Sequence, residues 1–343
     1  MQALVYEGDK NIQIKEVEVP ALQENEVRIK VKYCGICGTD IHIYSGDGGA
    51  FAVNPPLIMG HEFSGTVEAV GEMVSKVAVG DLVSVDPNRM CGECYYCNNG
   101  MEQFCEQVIG IGTTSNGGFA QYCTVPEKQV FRYKAGMDEL TAAMTEPVSC
   151  CLHGIDLCNI KVGDEVLIIG GGPIGLIMLQ MAKMAGASKL ILSEPVEEKR
   201  LLGKKLGADL VVDPITENLN TVLKEHCKNI NVIIECVGNV KTIQQAIDLA
   251  GHGATVMMFG LTGPGANLFV DPEMIFKKEI KLTSSFINPY TFERSVKLLE
   301  SGKLKVRETI TDVLELSDAV KAFEDETFRR RGKVIIKLEH DSN

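Results

Sequence analysis

Three groups of residues carry types and spacings that do chemistry. The first is Cys91-x2-Cys94-x2-Cys97-x7-Cys105, four thiols on a stretch containing Gly92, Asn98, Asn99 and Gly100 that reads as a loop without regular structure. Four thiolates with no open coordination position are the donor set of a structural zinc ion. An iron–sulfur cluster uses similar spacings and is the rival reading; a DNA-binding zinc module is a third. The second group is Cys37, Thr39 and His42, followed by Gly60–His61–Glu62, with Glu146 in a separate Thr–Glu–Pro–Val segment. Singly, a cysteine is most often a small core residue and a histidine an ordinary polar neighbour. One thiolate, one imidazole and one carboxylate together make a three-ligand zinc site with a vacant position, as a Lewis-acid centre requires.

The third group is Gly170-x-Gly172-x-x-Gly175, with Pro173 and Ile174 inside the triplet and Glu194 placed 19 residues after Gly175. A glycine triplet alone is weak evidence. Here an apolar run, Val166–Ile169, precedes it, a helix through Ala185 ended by Gly186 follows, and Glu194 closes the next apolar run. Glycine lets the backbone approach a pyrophosphate, the helix start supplies amide donors, and the carboxylate accepts from the adenosine ribose hydroxyls. Glu194 would repel a 2′-phosphate, which favours NAD over NADP. Lys199 and Arg200 lie close enough to soften that preference; Arg200 is a candidate cofactor contact, with a solvated helix face as the plainer account of both.

The elements that must position these groups fall into two textures. The chain has 343 residues, enough for two domains. From Met1 to about Tyr133, short β-like runs such as Val27 to Lys32, Gly65 to Val70 and Asp81 to Val85 are separated by Gly, Pro and Asn, which predicts a mostly β, barrel-like domain. From Val166 onward strand-like and helix-like segments alternate. Val166–Ile169, Leu190–Ser193, Leu210–Val212, Val232–Glu235, Thr255–Phe259 and Ile280–Ser284 predict an α/β Rossmann doubly wound parallel sheet. A helix over Ser317 to Phe328, opened by a capping serine, and an apolar run Val334–Ile336 complete the tail.

Composition excludes several classes. The hydrophobic fraction of 45% and charged fraction of 23% are those of a folded globular protein. A formal charge of −12 repels polyphosphate and anionic lipid, so neither nucleic acid nor membrane is an expected partner. The longest uncharged stretch, Val166 to Ala182, is broken by glycines and a proline and falls short of the roughly 20 apolar residues of a membrane span. Met1 to Glu7 carries no export signal, and a cytoplasmic location is the expectation. Twelve cysteines then read as metal ligands and buried thiols, the latter being Cys34, Cys123, Cys150, Cys151, Cys158, Cys227 and Cys236.

Taken in order, Cys34–Gly–Ile–Cys37–Gly–Thr39–Asp40–Ile–His42, Gly60–His61–Glu62, the four-cysteine lobe, Glu146–Pro147 and the glycine triplet resemble the zinc-dependent medium-chain alcohol dehydrogenase family across essentially the whole chain. The resemblance implies a GroES-like catalytic domain over 1–150 with the zinc lobe at about 88–106, an NAD-binding Rossmann domain over 151–287, and a return to the catalytic domain over 288–343. It implies one catalytic and one structural Zn2+ per subunit, and NAD. Cys37, His61 and a glutamate would hold the catalytic ion; Glu62 and Glu146 both fill family positions that contact it directly or through water. Thr39 and His42 match the family's proton relay, while Gly38 and Asp40 read as structural. A homo-oligomer, with a tetramer favoured, is implied as well.

The implied reaction is oxidation of a secondary alcohol to a ketone by hydride transfer to NAD, with the nicotinamide held in the cleft between the domains. Within the family the chain is most similar to the branch of sorbitol, other polyol and butanediol dehydrogenases. L-threonine 3-dehydrogenase is the alternative, although those enzymes usually carry aspartate where Glu146 stands. A zinc-free quinone reductase and a non-catalytic cofactor-binding protein are alternatives of other classes. Mammalian sorbitol dehydrogenases have Phe-Arg-Tyr where this chain has Phe286–Ile287–Asn288, so an Arg and a Tyr expected to grip a polyol are absent, which counts against sorbitol itself; a small-molecule alcohol or polyol is the expected substrate. Tyr44, Phe119 and Asn288 are candidates for the pocket lining, with plain packing as the alternative.

Overall fold

The computed structural model describes residues 1–47, 51–263 and 265–338. The chain divides into two compact units, one of Met1–Ser149 with Asn288–Asn343 and the other of Cys150–Ile287. In chain order the first unit contributes β1 (Gln2–Gly8), β2 (Asn11–Glu16), β3 (Glu26–Gly35), β4 (Leu57–Ile58), β5 (Glu62–Val70), β6 (Leu82–Val85), β7 (Asn88–Arg89), β8 (Ile109–Gly110), β9 (Tyr122–Pro126) and β10 (Val130–Arg132). The second contributes β11 (Glu165–Ile169), β12 (Lys189–Ser193), β13 (Leu210–Val212), β14 (Val232–Glu235), β15 (Thr255–Met258) and β16 (Lys281–Ser284). The tail adds β17 (Ile310–Glu315) and β18 (Lys333–Lys337) to the first unit.

The main sheet of the first unit runs β10-β6-β5-β3-β18-β17, with β9 also on β3. Strand β3 is its hub. One side pairs with β5 along its length; the other is shared, Glu26–Lys30 pairing with β9 and Tyr33–Gly35 with β18. Alternation explains the core: Val27, Ile29 and Val31 point inward and are buried, while Arg28, Lys30 and Lys32 do not reach it. They pack with Leu4, Phe63, Val83, Phe119 and the tail's Phe323 and Ile336 into one apolar cluster.

The second unit is an all-parallel sheet, β13-β12-β11-β14-β15-β16, the doubly wound order counted from β11 as its first strand. Val166 to Ile169 and Val232 to Glu235 are buried continuously, because helices cover both faces of a parallel sheet. Among the described residues no helix is long and apolar enough to cross a membrane.

Two local readings change. The tail is not one helix over Ser317–Phe328: after a 3-10 turn at Leu316–Asp318, Ala319–Glu324 and Glu326–Arg331 are separate short helices. Asp325 leaves helical dihedrals, and its carboxylate accepts from Thr327 N, starting a second helix where a continuous one would have run on. Ser317 caps nothing, since it sits inside the 3-10 turn. The four-cysteine stretch is not purely irregular either. Tyr95–Asn98 forms one helical turn with Cys94 at its start, fastened by Asn98 Nδ2 donating to the Glu93 carbonyl at 2.8 Å and Asn99 Nδ2 to that of Tyr95 at 2.7 Å. Asparagine side chains bonding back to the backbone make so short a helix stand.

Candidate functional site

Cys91, Cys94, Cys97 and Cys105 turn their sulfurs toward one another, all within 4.8 Å. Cys91 and Cys97 Sγ are 3.9 Å apart, close to the roughly 3.8 Å edge of a tetrahedron built on zinc–sulfur bonds. Backbone amides converge on the sulfurs, Cys94 N on Cys91 Sγ and Cys91 N on Cys105 Sγ, each at 3.3 Å. The Cys94 thiol is lowered to about 6, first by the backbone N–H groups of Cys97 and Glu106. Desolvation is the leading reason that Cys97 is pushed up to about 12, with the neighbouring thiols adding to it. Four sulfurs so placed ionise together only around a cation, and a closed four-thiolate zinc site fits them.

The second group is built from three elements of the first unit. Cys37 precedes the helix Gly38–Ser45, and Asp40 in its first turn folds back to accept from Cys37 N at 2.8 Å. His61 and Glu62 stand where β5 begins. The donor atoms of Cys37, His61 and Glu62 lie within 4.8 Å of one another; Glu146, buried in the first turn of the helix Thr145–Cys158, is not part of that group. Of the two glutamates left open by the sequence, Glu62 is therefore the one within ligand range.

Behind the ligands sit Asp40, which the sequence reading takes as structural, and Lys333, which it passes over. Asp40, fully buried, faces His61 Nδ1 with Oδ1 at 3.4 Å, which leaves the other ring nitrogen for a metal. Its position three residues after Cys37, at the third turn position of a helix, is the signal that marks it. Burial alone would lower the His61 pKa, but the Asp40 carboxylate and the Cys37 thiolate outweigh it and hold it well above its ordinary value. Lys333 on β18 makes a buried ion pair with Glu62. Burial opposes its charge, and Glu62, Cys37 and Glu146 overcome that and raise its pKa. No local sequence signal could have found it. Cys37, His61 and Glu62 thus bring one thiol, one imidazole and one carboxylate within reach of a single ion, and this donor set fits zinc.

Thr39 and His42 share the helix Gly38–Ser45, three residues apart and so on one face. Both are partly exposed, and His42 Nδ1 lies 3.8 Å from Asp47. The pocket-lining candidates divide. Phe119 is fully buried, edge-on to Phe323 at 6.1 Å, and is core. Asn288 is also buried, accepting from Asn88 Nδ2 at 2.6 Å and donating to Ser149 Oγ at 2.8 Å, so its amide belongs to a structural network. Tyr44 packs on Phe323 at 5.7 Å and is partly exposed. Among the remaining cysteines, Cys34, Cys123, Cys151 and Cys158 are buried, but Cys150, Cys227 and Cys236 are only half-buried.

In the second unit Gly172 is the N-cap and Pro173 the first residue of the helix Pro173–Ala185, which Gly186 closes in the left-handed conformation. Gly175 is obligatory: a Cβ there would stand 1.8 Å from the Gly170 carbonyl oxygen. Glu194 is buried beside this turn, its Oε2 accepting from Gly171 N at 2.6 Å and its Oε1 from Val196 N at 2.9 Å. Arg200 is not part of a solvated face. Its side chain is 17% exposed, and its guanidinium donates to the Glu194 and Pro195 carbonyls at 2.8 and 2.7 Å and lies 3.4 Å from Asp213.

Residues 23–135 match the model of the alcohol dehydrogenase GroES-like domain, and residues 173–301 that of the zinc-binding dehydrogenase. The chain is 34% identical to D-arabinitol dehydrogenase 1 of Uromyces fabae, over 98% of this chain and 97% of that protein. It is similar to the structure of a zinc-binding dehydrogenase from Sinorhizobium meliloti 1021 bound to NADP, with a TM-score of 0.94, 35% identity and 98% of each chain covered. It is also similar to that of an alcohol dehydrogenase from Escherichia coli CFT073 complexed with NADH, with a TM-score of 0.91, 29% identity, and 98% of this chain and 99% of that one covered. The chain belongs to the zinc-dependent medium-chain alcohol dehydrogenase family, an α/β Rossmann sheet joined to a GroES-like domain. It is an oxidoreductase that moves a hydride between a secondary alcohol and a nicotinamide cofactor.

Proposed function

We propose that the chain oxidises a polyol or small diol at a zinc ion held by Cys37, His61 and Glu62, with NAD as the acceptor and a second, structural zinc ion on Cys91, Cys94, Cys97 and Cys105. The single observation that carries the reading is the convergence of one thiol, one imidazole and one carboxylate within 4.8 Å, with Asp40 behind the imidazole. Zinc bound there supplies a Lewis acid that makes an alcohol hydroxyl a stronger acid. Asp40 fixes the ring and tautomer of His61. Thr39 takes the hydroxyl proton into a hydrogen-bonded relay and His42, half-exposed, delivers it to water. A bound nicotinamide would supply the acceptor for the carbinol hydride and its electron pair.

In the second unit the amide groups at the start of Pro173–Ala185 bind the pyrophosphate, with Gly170, Gly172, Ile174 and Gly175 keeping the backbone close to it. Glu194 accepts from the adenosine ribose, which favours NAD over NADP. Arg200 supports this preference, since its charge is already taken up by two carbonyls and Asp213. The polyol class draws on the likeness to D-arabinitol dehydrogenase 1. The same reading takes the chain to be a homo-oligomer, with a tetramer favoured, in the cytoplasm; twelve free cysteines suit a reducing compartment.

The test is the Cys37→Ser variant beside the unaltered enzyme, with NAD and a panel of polyols, diols and L-threonine, following reduced cofactor at roughly 340 nm. Turnover should disappear while NAD binding persists. A variant that retained turnover would sink the assignment of Cys37.

A further inference from the structure

Lys333 and Glu62 lie on strands that are not paired with each other. Strand β3 runs between β18 and β5, and its Gly35 is the register partner of Glu62 on one side and of Ile335 on the other. A Cβ at residue 35 would come 2.2 Å from Glu62 Oε2 and 2.9 Å from Lys333 Cε. The missing side chain is what lets a lysine and a glutamate two strands apart meet across the face of β3. The ammonium is held at a second point, donating to the Ile36 carbonyl at 2.9 Å, one residue before Cys37. Both side chains are almost wholly buried, at 7% and 2% exposure. A buried ion pair is no more stabilising than a well-packed apolar pair of the same volume, so packing alone does not account for a lysine here.

We infer that Lys333 is a positioning residue for the metal centre: by capturing Glu62 Oε2 it holds one carboxylate oxygen back and leaves the other to the metal. This rests on reading Cys37, His61 and Glu62 as a zinc site. Without the ammonium, Glu62 offers both oxygens, grips the ion harder and competes with the alcohol for the open position. Lys333 acts through Glu62 and touches neither substrate nor cofactor.

The test uses the full-length zinc enzyme and its cobalt-substituted form with Lys333→Met, Lys333→Arg, Glu62→Gln and the double variant Lys333→Met/Glu62→Gln. Three quantities are read: zinc release into a chelating dye, the visible cobalt spectrum, and KM against kcat for the best alcohol of the panel. Lys333→Met should keep its zinc, release it about tenfold more slowly, shift the cobalt bands, and raise KM about tenfold with a smaller change in kcat, within the 10–100-fold range of outer-shell partners. Lys333→Arg should restore all three. Release as fast as in the unaltered enzyme, with the cobalt bands and KM unmoved, would overturn the inference. Should Lys333→Met fail to fold, the double variant decides, because with Glu62 neutralised the Lys333 change should add nothing beyond Glu62→Gln. A difference above about threefold between those two would place Lys333's action elsewhere and overturn the inference. An unaltered enzyme that held zinc only on the four cysteines would instead remove the metal-centre reading itself.

Discussion

Replacing Glu194 by glutamine tests the cofactor assignment most sharply, because the structure fixes both of its carboxylate oxygens. Oε2 accepts from Gly171 N at 2.6 Å and Oε1 from Val196 N at 2.9 Å, so the group stands rigidly beside the glycine turn. Its charge strengthens a bond from a ribose hydroxyl from about 0.5–1.5 to about 1.5–3 kcal/mol. Losing that charge costs about 1–1.5 kcal/mol, a five- to tenfold drop in kcat/KM with NAD. A carboxylate about 4 Å from a 2′-phosphate repels it by about 4 kcal/mol per charge at an effective dielectric near 20, and glutamine removes that term. Recovering even half of it raises kcat/KM with NADP about thirtyfold. The preference for NAD over NADP should therefore fall by at least about a hundredfold, measured as initial rates with each cofactor at saturating alcohol. Glutamine has one acceptor oxygen, so one backbone amide also loses its partner, at about 1–3 kcal/mol of stability. A variant that melted earlier yet kept the same cofactor ratio would refute the argument, since Glu194 would then serve only the turn.

Cys97→Ser should leave one zinc ion per chain where the unaltered protein holds two and lower the melting temperature, checked by metal analysis and calorimetry; two ions retained would contradict the four-thiolate site. Gly175→Ala forces the 1.8 Å contact with the Gly170 carbonyl to open, costing about 1–3 kcal/mol and weakening NADH binding at least about tenfold by fluorescence titration. Burial chiefly raises the Asp86 pKa from 3.8 to about 7, against the lowering effect of the Asn88 and Asn288 hydrogen bonds. A raised carboxyl pKa favours the fold fully below the unfolded value and loses that contribution as pH climbs through about 7. Asp86→Asn should accordingly gain about 2 kcal/mol on the unaltered protein between pH 4 and 8, allowing for screening at a half-buried side chain. Chemical denaturation at the two pH values measures this, and a difference independent of pH would rule it out.

What the sequence determined by itself were the features bound by local covalent rules. Sulfur spacing of two and seven residues within one loop leaves a chelate little freedom, and a glycine triplet between an apolar run and a helix has few other uses. The parallel sheet of the second unit follows from alternation, since each run of apolar residues has a helix beside it in the chain, while the order of its strands does not. Only the tertiary structure decided what depends on register between distant strands. Glu62 rather than Glu146 reaches Cys37 and His61 because β5 begins where it does. Lys333 reaches the Ile36 carbonyl across 297 residues because β18 pairs with β3 and Gly35 leaves the gap, and periodicity encodes neither fact. Asn288 turned inward to Ser149 and Asn88 for the same reason: a buried amide must be satisfied, and its partners are set by packing, which no stretch of neighbouring residues specifies.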